Sequence, residues 1–212
     1  MRFDVQALLF DIDGTLVDST ASVDRTWRSW ASSRGIEVED VLRVCHGRRT
    51  EDTLALFLPA QHVAEAVTEL EELELSDVAE VTALPATQAL LPLIPANRWA
   101  AVTSGSRALM RARLAAAGLP VPFVMVAAED VSEGKPNPEG YLRAADALGY
   151  DIARCLVFED APAGIDAGLA AGAQVLAVAT SHSADELTAA NAVIPDLSAC
   201  SVRVGRDGFV VT

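Results

Sequence analysis

The sequence has few positive charges and almost no lysine. It carries 16 lysine and arginine residues against 30 aspartate and glutamate residues, for a formal net charge of −14, and Lys135 is its single lysine. A protein of this charge repels polyanions, which excludes sequence-independent binding to nucleic acid and to anionic membranes. Because the overall field also repels small anions, an anionic substrate needs a local positive centre in its binding site.

Cysteine and long apolar runs are scarce too. The three cysteines, Cys45, Cys155 and Cys200, are odd in number and show no metal-ligand spacing, which predicts reduced, buried thiols. No apolar run approaches the ~20 residues of a membrane-spanning helix, and the first residues do not resemble a signal peptide. We therefore expect a cytoplasmic protein. With 212 residues, 51% of them hydrophobic, the chain can bury one domain, with or without a large insertion.

The most informative segment is ALLFDIDGTLVDS, residues 7–19. Residues 7–10 are apolar and predict a buried strand, since parallel strands covered on both faces lose their polar alternation. Asp11 and Asp13 follow at the strand end, where ligands of open α/β sheets bind, and Gly14 lets the chain turn away. Two close carboxylates repel each other unless a cation or a proton separates them. The pattern therefore predicts a metal-held nucleophile beside a proton carrier.

The same aspartates also have a purely structural interpretation. Asp-x-Asp-Gly is ordinary in turns and in calcium-binding loops. An EF-hand loop requires a glutamate at its twelfth position, and the twelfth residue counted from Asp11 is Ser22. The sequence therefore argues against calcium, while a structural turn remains an alternative at this point.

The segment after the first strand is helical in pattern. Helical spacing covers 20–34 and 50–75, with Pro59 dividing the second stretch. No strand is predicted between about 17 and 83. We expect residues 1–16 and 85–212 to form the core and 17–84 to form an inserted helical domain, with hinges near 17–20 and 82–86.

From residue 85 onward, strands and helices alternate with short connections. This alternation predicts the α/β class, with a parallel sheet flanked by helices and joined by right-handed crossovers. The tail VRVGRDGFVV predicts a hairpin around Asp207 and Gly208. The helices are predicted over 86–94, 107–117, 138–148 and 162–171, and the strands in the segments WAAVTSG, PFVMVAAED, CLVFED and QVLAVAT.

The ends of two further strands also carry polar groups. VTSG presents Thr103 and Ser104, followed by the free amides of Gly105 and Ser106 at a helix start, which is a ready site for an anion. CLVFED presents a second acidic pair at 159–160. Since the carboxyl ends of parallel strands share one edge of the sheet, these groups are expected to lie near the first aspartates.

Lys135 lies in the loop GKPNP, framed by glycine and proline. A chain that otherwise uses arginine, yet places one lysine in such a loop, favours a requirement for a compact ammonium group there. Chance placement on a solvated loop is the alternative.

These four segments together resemble the motifs of the haloacid dehalogenase-like superfamily. DIDGT at 11–15 is similar to its first motif, Ser104 in VTSG to its second, Lys135 in EGKPNP to its third, and 159–160 in FEDAPAG to its fourth. The resemblance covers most of the chain and implies a Rossmann-like core. The insertion resembles the family's helical cap of the first type.

The resemblance implies phosphoryl transfer with Mg²⁺. Asp11 would attack phosphorus and become an aspartyl phosphate. Asp13 would protonate the leaving alcohol and then deprotonate the hydrolytic water, while its backbone carbonyl binds the metal. By the same resemblance, the peptide bond between Lys135 and Pro136 is expected to be cis.

The other motif residues would hold the metal and the phosphoryl group. Asp160, together with Asp11, would bind Mg²⁺, with Glu159 as a direct or water-mediated ligand. The resemblance also implies that a phosphoryl oxygen is bound by Ser104, and we expect the neighbouring backbone amide of Gly105 to bind it too. Lys135 would offset the charge of nucleophile and phosphate alike. Catalysis of phosphoryl transfer consists mostly of such positioning and charge neutralisation.

Within the family, the residues favour a phosphatase over other activities. The segments CHGRRTEDTL and FEDAPAGIDAG resemble phosphatases of sugar phosphates and glycerol phosphates, whereas dehalogenating members need no acid at Asp13. A β-phosphoglucomutase-like enzyme is expected to carry a cap histidine and a cap arginine where this chain has Val23 and Thr50. No lysine or arginine occurs between residues 50 and 97. A non-catalytic phospho-metabolite-binding protein is expected to have lost at least one motif residue.

The insertion supplies the remaining candidates. Arg49 is the candidate for a cap residue that reaches the substrate, with Arg48 second, and a surface role at a helix start is the alternative. His46 either lines the entrance or packs, and Trp27 and Trp30 are expected to pack the insertion. The expected partner is a small phosphorylated metabolite, and we expect a monomer.

Overall fold

The computed structural model describes residues 1–205 and 207–212, and places eleven strands in that part of the chain. In chain order they are β1 (Phe3–Val5), β2 (Ala7–Phe10), β3 (Val17–Asp18), β4 (Thr82–Ala83), β5 (Trp99–Val102), β6 (Val124–Val126), β7 (Cys155–Glu159), β8 (Gln174–Val178), β9 (Ala192–Ile194), β10 (Val202–Val204) and β11 (Phe209–Val211).

Eight α-helices connect these strands within the described residues, and short 3-10 turns precede or follow several of them. The helices are α1 (Thr20–Arg34), α2 (Val38–Cys45), α3 (Thr50–Leu54), α4 (Ala60–Ser76), α5 (Thr87–Leu90), α6 (Arg107–Ala116), α7 (Glu139–Leu148) and α8 (Pro162–Ala171).

Six strands form one parallel sheet in the order β6-β5-β2-β7-β8-β9. The strand that ends at the first aspartates is central, with Leu9 of β2 paired to Ala100 of β5 and to Val157 of β7. Every residue of β2, β5 and β7 is buried, as their apolar composition predicts. The α/β class is confirmed. The sequence interpretation missed β9, a three-residue strand too short to show a pattern.

Helices cover both faces of this sheet. On one face Phe10 stacks on Phe158 with ring centroids 4.6 Å apart, next to apolar side chains of α6. On the other face Leu9 packs with Tyr141 of α7 and Ile165 of α8. Consecutive residues of β2 therefore enter opposite cores, which fixes the direction in which the chain leaves the strand at residue 11.

The four helices between β3 and β4 have an apolar cluster of their own. Trp27 and Trp30 meet edge to face with centroids 5.8 Å apart, and they pack with Leu54 and Leu70. The expectation that the two tryptophans pack the insertion is thereby confirmed. The sequence interpretation did not include α2, and the division into domains at 16/17 and 84/85 stays a prediction.

The insertion joins the core through a two-stranded ribbon. Val17 pairs with Ala83 and Asp18 with Thr82, antiparallel. The expectation of no strand between about 17 and 83 is therefore wrong at its two edges, because strands of two residues show no detectable alternation. The ribbon coincides with the segments predicted as hinges.

The C-terminal hairpin is confirmed. Strands β10 and β11 are antiparallel, and β11 also pairs with β1 in a three-stranded sheet. Gly205 N–H donates to the carbonyl of Gly208 at 2.7 Å, and Arg206 of the predicted turn lies outside the described residues. The helix predicted over 86–94 is shorter than expected: α5 ends at Leu90 and a 3-10 turn follows, where Pro92 has no N–H to donate.

Two predictions from the sequence concern the state of the cysteines and membrane-spanning helices. The three cysteines are free, as predicted, and Cys45 and Cys155 are buried, whereas Cys200 is only partly buried, so the prediction of buried thiols is wrong for Cys200. Among the helices of the described residues, none combines the length and the apolar character needed to span a bilayer.

Candidate active site

The carboxyl end of β2 places Asp11 against the single lysine. Lys135 Nζ donates to Asp11 Oδ1 at 2.5 Å, to Glu159 Oε1 at 2.6 Å and to the carbonyl of Val102 at 3.2 Å. Both Asp11 and Lys135 are buried. The peptide bond between Lys135 and Pro136 is cis, which confirms that prediction. The structure thus brings the first and third motifs into direct contact.

Three buried carboxylates meet at this point: Asp11, Glu159 and Asp160 each offer an oxygen, and these oxygens lie within 4.8 Å of one another. Burial raises the pKa of Asp11 well above its usual range, and the neighbouring carboxylates add to that effect although Lys135 opposes it. Burial, and next the charge of Glu159, raise the pKa of Asp160 to about 7. Three carboxyl groups therefore share a single ammonium, that of Lys135, and the cluster has more acidic groups than positive charges.

This cluster fits a hard divalent cation. Carboxylate oxygens are the ligands that Mg²⁺ takes in proteins, and a second positive charge here would favour the ionised form of the two carboxyl groups, which burial and the neighbouring carboxylates disfavour. The backbone leaves room for the cluster because Gly14 has φ +78°, and a Cβ at that residue would lie 2.1 Å from Asp160 Oδ2. Residue 14 must therefore lack a side chain.

The two oxygens of Glu159 are already engaged by the protein. Oε1 accepts from Lys135 and from the Tyr141 hydroxyl at 2.7 Å, while Oε2 accepts from the backbone N–H groups of Asp160 and Ala161 at 3.0 and 3.3 Å. Four donors occupy the four lone-pair directions of the carboxylate. Glu159 is thus placed to hold Lys135 and the loop after β7, and direct metal ligation by Glu159 stays a prediction.

Asp160 is held by residues from two other segments. Its Oδ1 accepts from Thr15 Oγ1 at 3.3 Å, its Oδ2 accepts from Ser181 Oγ, and His182 Nδ1 lies 3.0 Å from its carbonyl oxygen. Sequence reasoning missed Ser181. The signal was available, since Ser181 follows the carboxyl end of β8, where the same rule found the other strand-end residues.

Asp13 lies on the same rim with both oxygens bound. Ser19 Oγ donates to Oδ1 at 2.7 Å, and Arg113 Nη1 donates to Oδ2 at 2.6 Å. The other end of the Arg113 fork donates to Glu74 Oε1 at 3.0 Å. Sequence reasoning missed Arg113 altogether.

The second motif lies between the core and the insertion. Ser104 Oγ donates to the carbonyl of Gly47 at 2.9 Å, and helix α6 starts three residues later with Ser106 Oγ accepting from Leu109 N–H at 3.2 Å. The amide of Gly105 donates to Thr103 Oγ1 at 3.1 Å. The expectation that the Gly105 amide is free is therefore wrong, because the adjacent hydroxyl satisfies it.

These groups line one cleft between the sheet edge and the insertion. The residues from the core that line it include Asp11, Asp13, Ser104, Gly105, Arg113, Asp160 and Ser181. From the insertion, the lining includes Val23, Trp27, His46, Arg48, Thr50 and Glu74. His46 lines the cleft and also contacts Asp24 at 3.4 Å and the ring of His182, so both interpretations of His46 describe part of its surroundings.

Arg49 points elsewhere. Its Nη1 lies 2.7 Å from Glu51 Oε1, its Nε lies 2.7 Å from Asp52 Oδ2, and its Nη1 also donates to the carbonyl of Val131. It does not line the cleft described above, whereas Arg48 does. The structure thus brings together the motif residues and leaves the first cap candidate in ion pairs beside the site.

Comparison with known proteins gives consistent findings. A family model described as haloacid dehalogenase-like hydrolase matches residues 5–172. Hexitol phosphatase A of Escherichia coli (strain K12) is 41% identical over 97% of this chain and 98% of that protein. Glycerol-1-phosphate phosphohydrolase 2 of Saccharomyces cerevisiae is 36% identical over 95% of this chain and 85% of that protein. A solved hydrolase from Pseudomonas syringae superposes with a TM-score of 0.82 at 26% identity, covering 90% of this chain and 94% of that one.

Proposed function

The chain belongs to the haloacid dehalogenase-like hydrolases, and from that membership we propose that it is a Mg²⁺-dependent phosphatase of a small sugar or polyol phosphate. One observation carries the proposal. Asp11 lines the cleft and is held by Lys135 beside a second acidic residue, Asp160, and Asp13 lines the same cleft. A nucleophile, a cation site and a proton carrier thus meet where a phosphoryl group would enter.

The metal site would consist of Asp11, Asp160 and the backbone carbonyl of Asp13, with Glu159 at most through water. When bound, Mg²⁺ supplies positive charge that neutralises the phosphoryl oxygens and keeps the nucleophilic carboxylate ionised. Lys135 already contributes one positive charge at that carboxylate.

The chain's own residues would divide the reaction into two steps. Asp11 attacks phosphorus and forms an aspartyl phosphate, while the bond from phosphorus to the alcohol oxygen breaks. Asp13 gives its proton to that oxygen, then takes one from a water molecule that attacks the aspartyl phosphate and releases inorganic phosphate. Ser104 donates to a phosphoryl oxygen after leaving the carbonyl of Gly47, and Lys135 offsets negative charge throughout.

The proposed substrate class rests on the relatives and on the lining of the cleft. One relative is named for hexitol phosphates and another for glycerol 1-phosphate. On the insertion side, Val23 and Thr50 line the cleft where a phosphosugar mutase is expected to present a histidine and an arginine. Since a mutase must hold two phosphates in turn, this lining favours hydrolysis of a monophosphate.

The test is phosphate release from a panel of hexitol phosphates, glycerol 1-phosphate, 2-deoxyglucose 6-phosphate and β-glucose 1-phosphate, with Mg²⁺ or with EDTA. We expect metal-dependent release from at least one polyol or sugar phosphate. Conversion of β-glucose 1-phosphate into glucose 6-phosphate with little free phosphate would instead establish a mutase. Binding of these compounds without any turnover would establish a non-catalytic protein.

A further inference from the structure

A buried arginine joins Asp13 to the helical insertion. Arg113 lies on α6 with a side chain only 3% exposed, and its two terminal nitrogens bind Asp13 at 2.6 Å and Glu74 at 3.0 Å. Glu74 lies near the end of α4, on the insertion, and its side chain is 8% exposed. One guanidinium thus holds a carboxylate from the sheet edge and a carboxylate from the insertion at the same time.

Arg113 and Glu74 are buried, whereas the Asp13 side chain is 29% exposed. Taking a guanidinium out of water is unfavourable unless close carboxylates compensate. Burial alone lowers the pKa of Arg113, but Asp13 and Glu74 outweigh it and hold the pKa above its usual value. Arg113 Nε is buried with no hydrogen-bond partner among the described residues. The side chain is therefore oriented by the two carboxylates, and truncation of it leaves Glu74 buried without its cation.

Asp13 depends on Arg113 for its orientation. Its carboxylate has two anchors, Ser19 Oγ on Oδ1 and Arg113 on Oδ2. Ser19 immediately precedes α1, next to the ribbon that connects the insertion. Each anchor of the carboxylate is therefore linked to the insertion: Ser19 through its place beside the ribbon, and Arg113 through its contact with Glu74.

We propose that Arg113 is a positioning residue, which fixes the Asp13 carboxylate for proton transfer when Glu74 of the insertion is docked against it. This inference rests on the proposed function, in which Asp13 exchanges protons with the leaving alcohol and with water. A planar guanidinium fork can hold two carboxylates in fixed directions, which a lysine ammonium on a flexible stem cannot do equally well. The docked insertion and the oriented acid are thus linked through one side chain.

The contribution of proton donation by Asp13 to the rate increases as the leaving group becomes poorer. An alkyl alcohol leaves poorly without a proton, whereas p-nitrophenolate leaves without one, so general acid catalysis acts on the first and hardly on the second. The value of kcat/KM includes only the steps through release of the alcohol. The ratio of kcat/KM for propyl phosphate to that for p-nitrophenyl phosphate therefore reports on Asp13 as an acid, and propyl phosphate has no hydroxyl group that Arg113 or Glu74 could bind.

The experiment compares the full-length wild type with Arg113→Met, Arg113→Lys and Glu74→Gln in Mg²⁺, using these two substrates. Arg113→Met is expected to lower the ratio by about 10-fold or more, within the range that general acid catalysis contributes. The two conservative variants are expected to lower it less. The matched control is Arg111→Met on the exposed side of the same helix, which is expected to keep the wild-type ratio.

An equal loss on both substrates overturns the proposal, since a merely structural role lowers both alike. A loss seen only with hydroxylated substrates, through KM, also overturns it and makes Arg113 a substrate-binding residue. If Arg113→Met does not fold, the ratios of Arg113→Lys and Glu74→Gln decide in the same way. A wild type inactive on every phosphoester, by contrast, contradicts the proposed phosphatase function itself.

Discussion

At the scale of single residues, the contact between Lys135 and Asp11 organises the site. Lys135 is buried, so its ammonium is stable there only because Asp11 and Glu159 face it, and these carboxylates hold its pKa above the usual value although burial alone lowers it. Together with Asp160, these carboxylates outnumber the single ammonium of Lys135. The residues that the sequence motifs indicate thus form one electrostatic unit, in which a change at any member alters the others.

Replacement of Asp11 by asparagine is the most direct test of this unit. The amide cannot attack phosphorus, so we expect Asp11→Asn to lower phosphate release by at least about 10³-fold. The side chains have the same shape and Glu159 still faces Lys135, so we expect the variant to keep the wild-type fold, which circular dichroism checks. Asp166→Asn, the same change at an exposed position of α8, is the control and should keep full activity. Turnover retained in Asp11→Asn would refute the proposed nucleophile.

At the scale of elements, the strand ends were predictable and the contacts between elements were not. The apolar run of β2 and the residues after β5 and β7 place Asp11, Ser104 and Asp160 at one edge, because parallel strands share their direction. The ion pair of Arg113 and Glu74 joins two helices through residues that are 39 positions apart in the sequence. In the sequence, each of them looks like an ordinary charged residue on a helix surface. Such a contact depends on how α4 docks on α6, which local periodicity does not determine.

Helix α8 gives a prediction in which two physical effects oppose each other. Gly164 lies in the first turns of α8, and a Cβ there would lie 1.8 Å from Glu159 Oε1. Helix propensity favours alanine over glycine by about 1 kcal/mol, but the clash would displace the carboxylate that holds Lys135. We expect the clash to dominate, so that Gly164→Ala lowers the free energy of unfolding by about 1–3 kcal/mol and also lowers kcat.

Thermal melting and phosphate release measure both effects. The reverse change at an exposed position of the same helix, Ala170→Gly, calibrates helix propensity and should lower stability by about 1 kcal/mol with normal kcat. A Gly164→Ala protein that is more stable than the wild type and fully active would show that the Glu159 carboxylate is free to move.

At the scale of the whole molecule, polar contacts join the insertion to the core around the cleft. Besides the pair of Glu74 and Arg113, Ser104 Oγ donates to the Gly47 carbonyl and Ser106 Oγ donates to Glu71. We predict a core and a helical insertion from the switch in pattern at about residue 17, since a strand period gives way to a helical one. The polar contacts between the two were not predicted, because each of them joins residues far apart in the sequence that share no local pattern.

The buried carboxylates of the cleft lead us to expect that the stability of the molecule depends on pH and on metal together. The pKa of Asp160 is about 7 in the folded protein against 3.8 for an ordinary aspartate, and the pKa of Asp11 is raised as well, by burial first and by neighbouring carboxylates next. Between those values the folded protein holds more protons than the unfolded chain. The contribution of these groups to stability is therefore present at pH 4 and is lost as the pH rises through about 7.

Magnesium should reverse this loss, because it binds the ionised carboxylates and takes the place of the protons. At a saturating concentration and constant ionic strength, we expect Mg²⁺ to raise the melting temperature by on the order of 5 °C at pH 8 and by much less at pH 5. Other titrating groups are the same with and without metal, so the difference isolates the cluster. Differential scanning calorimetry of wild type and of Asp11→Asn at both pH values measures it, and the variant should respond less. A shift equal at pH 5 and pH 8 would mean that the metal does not compete with protons at Asp11 and Asp160.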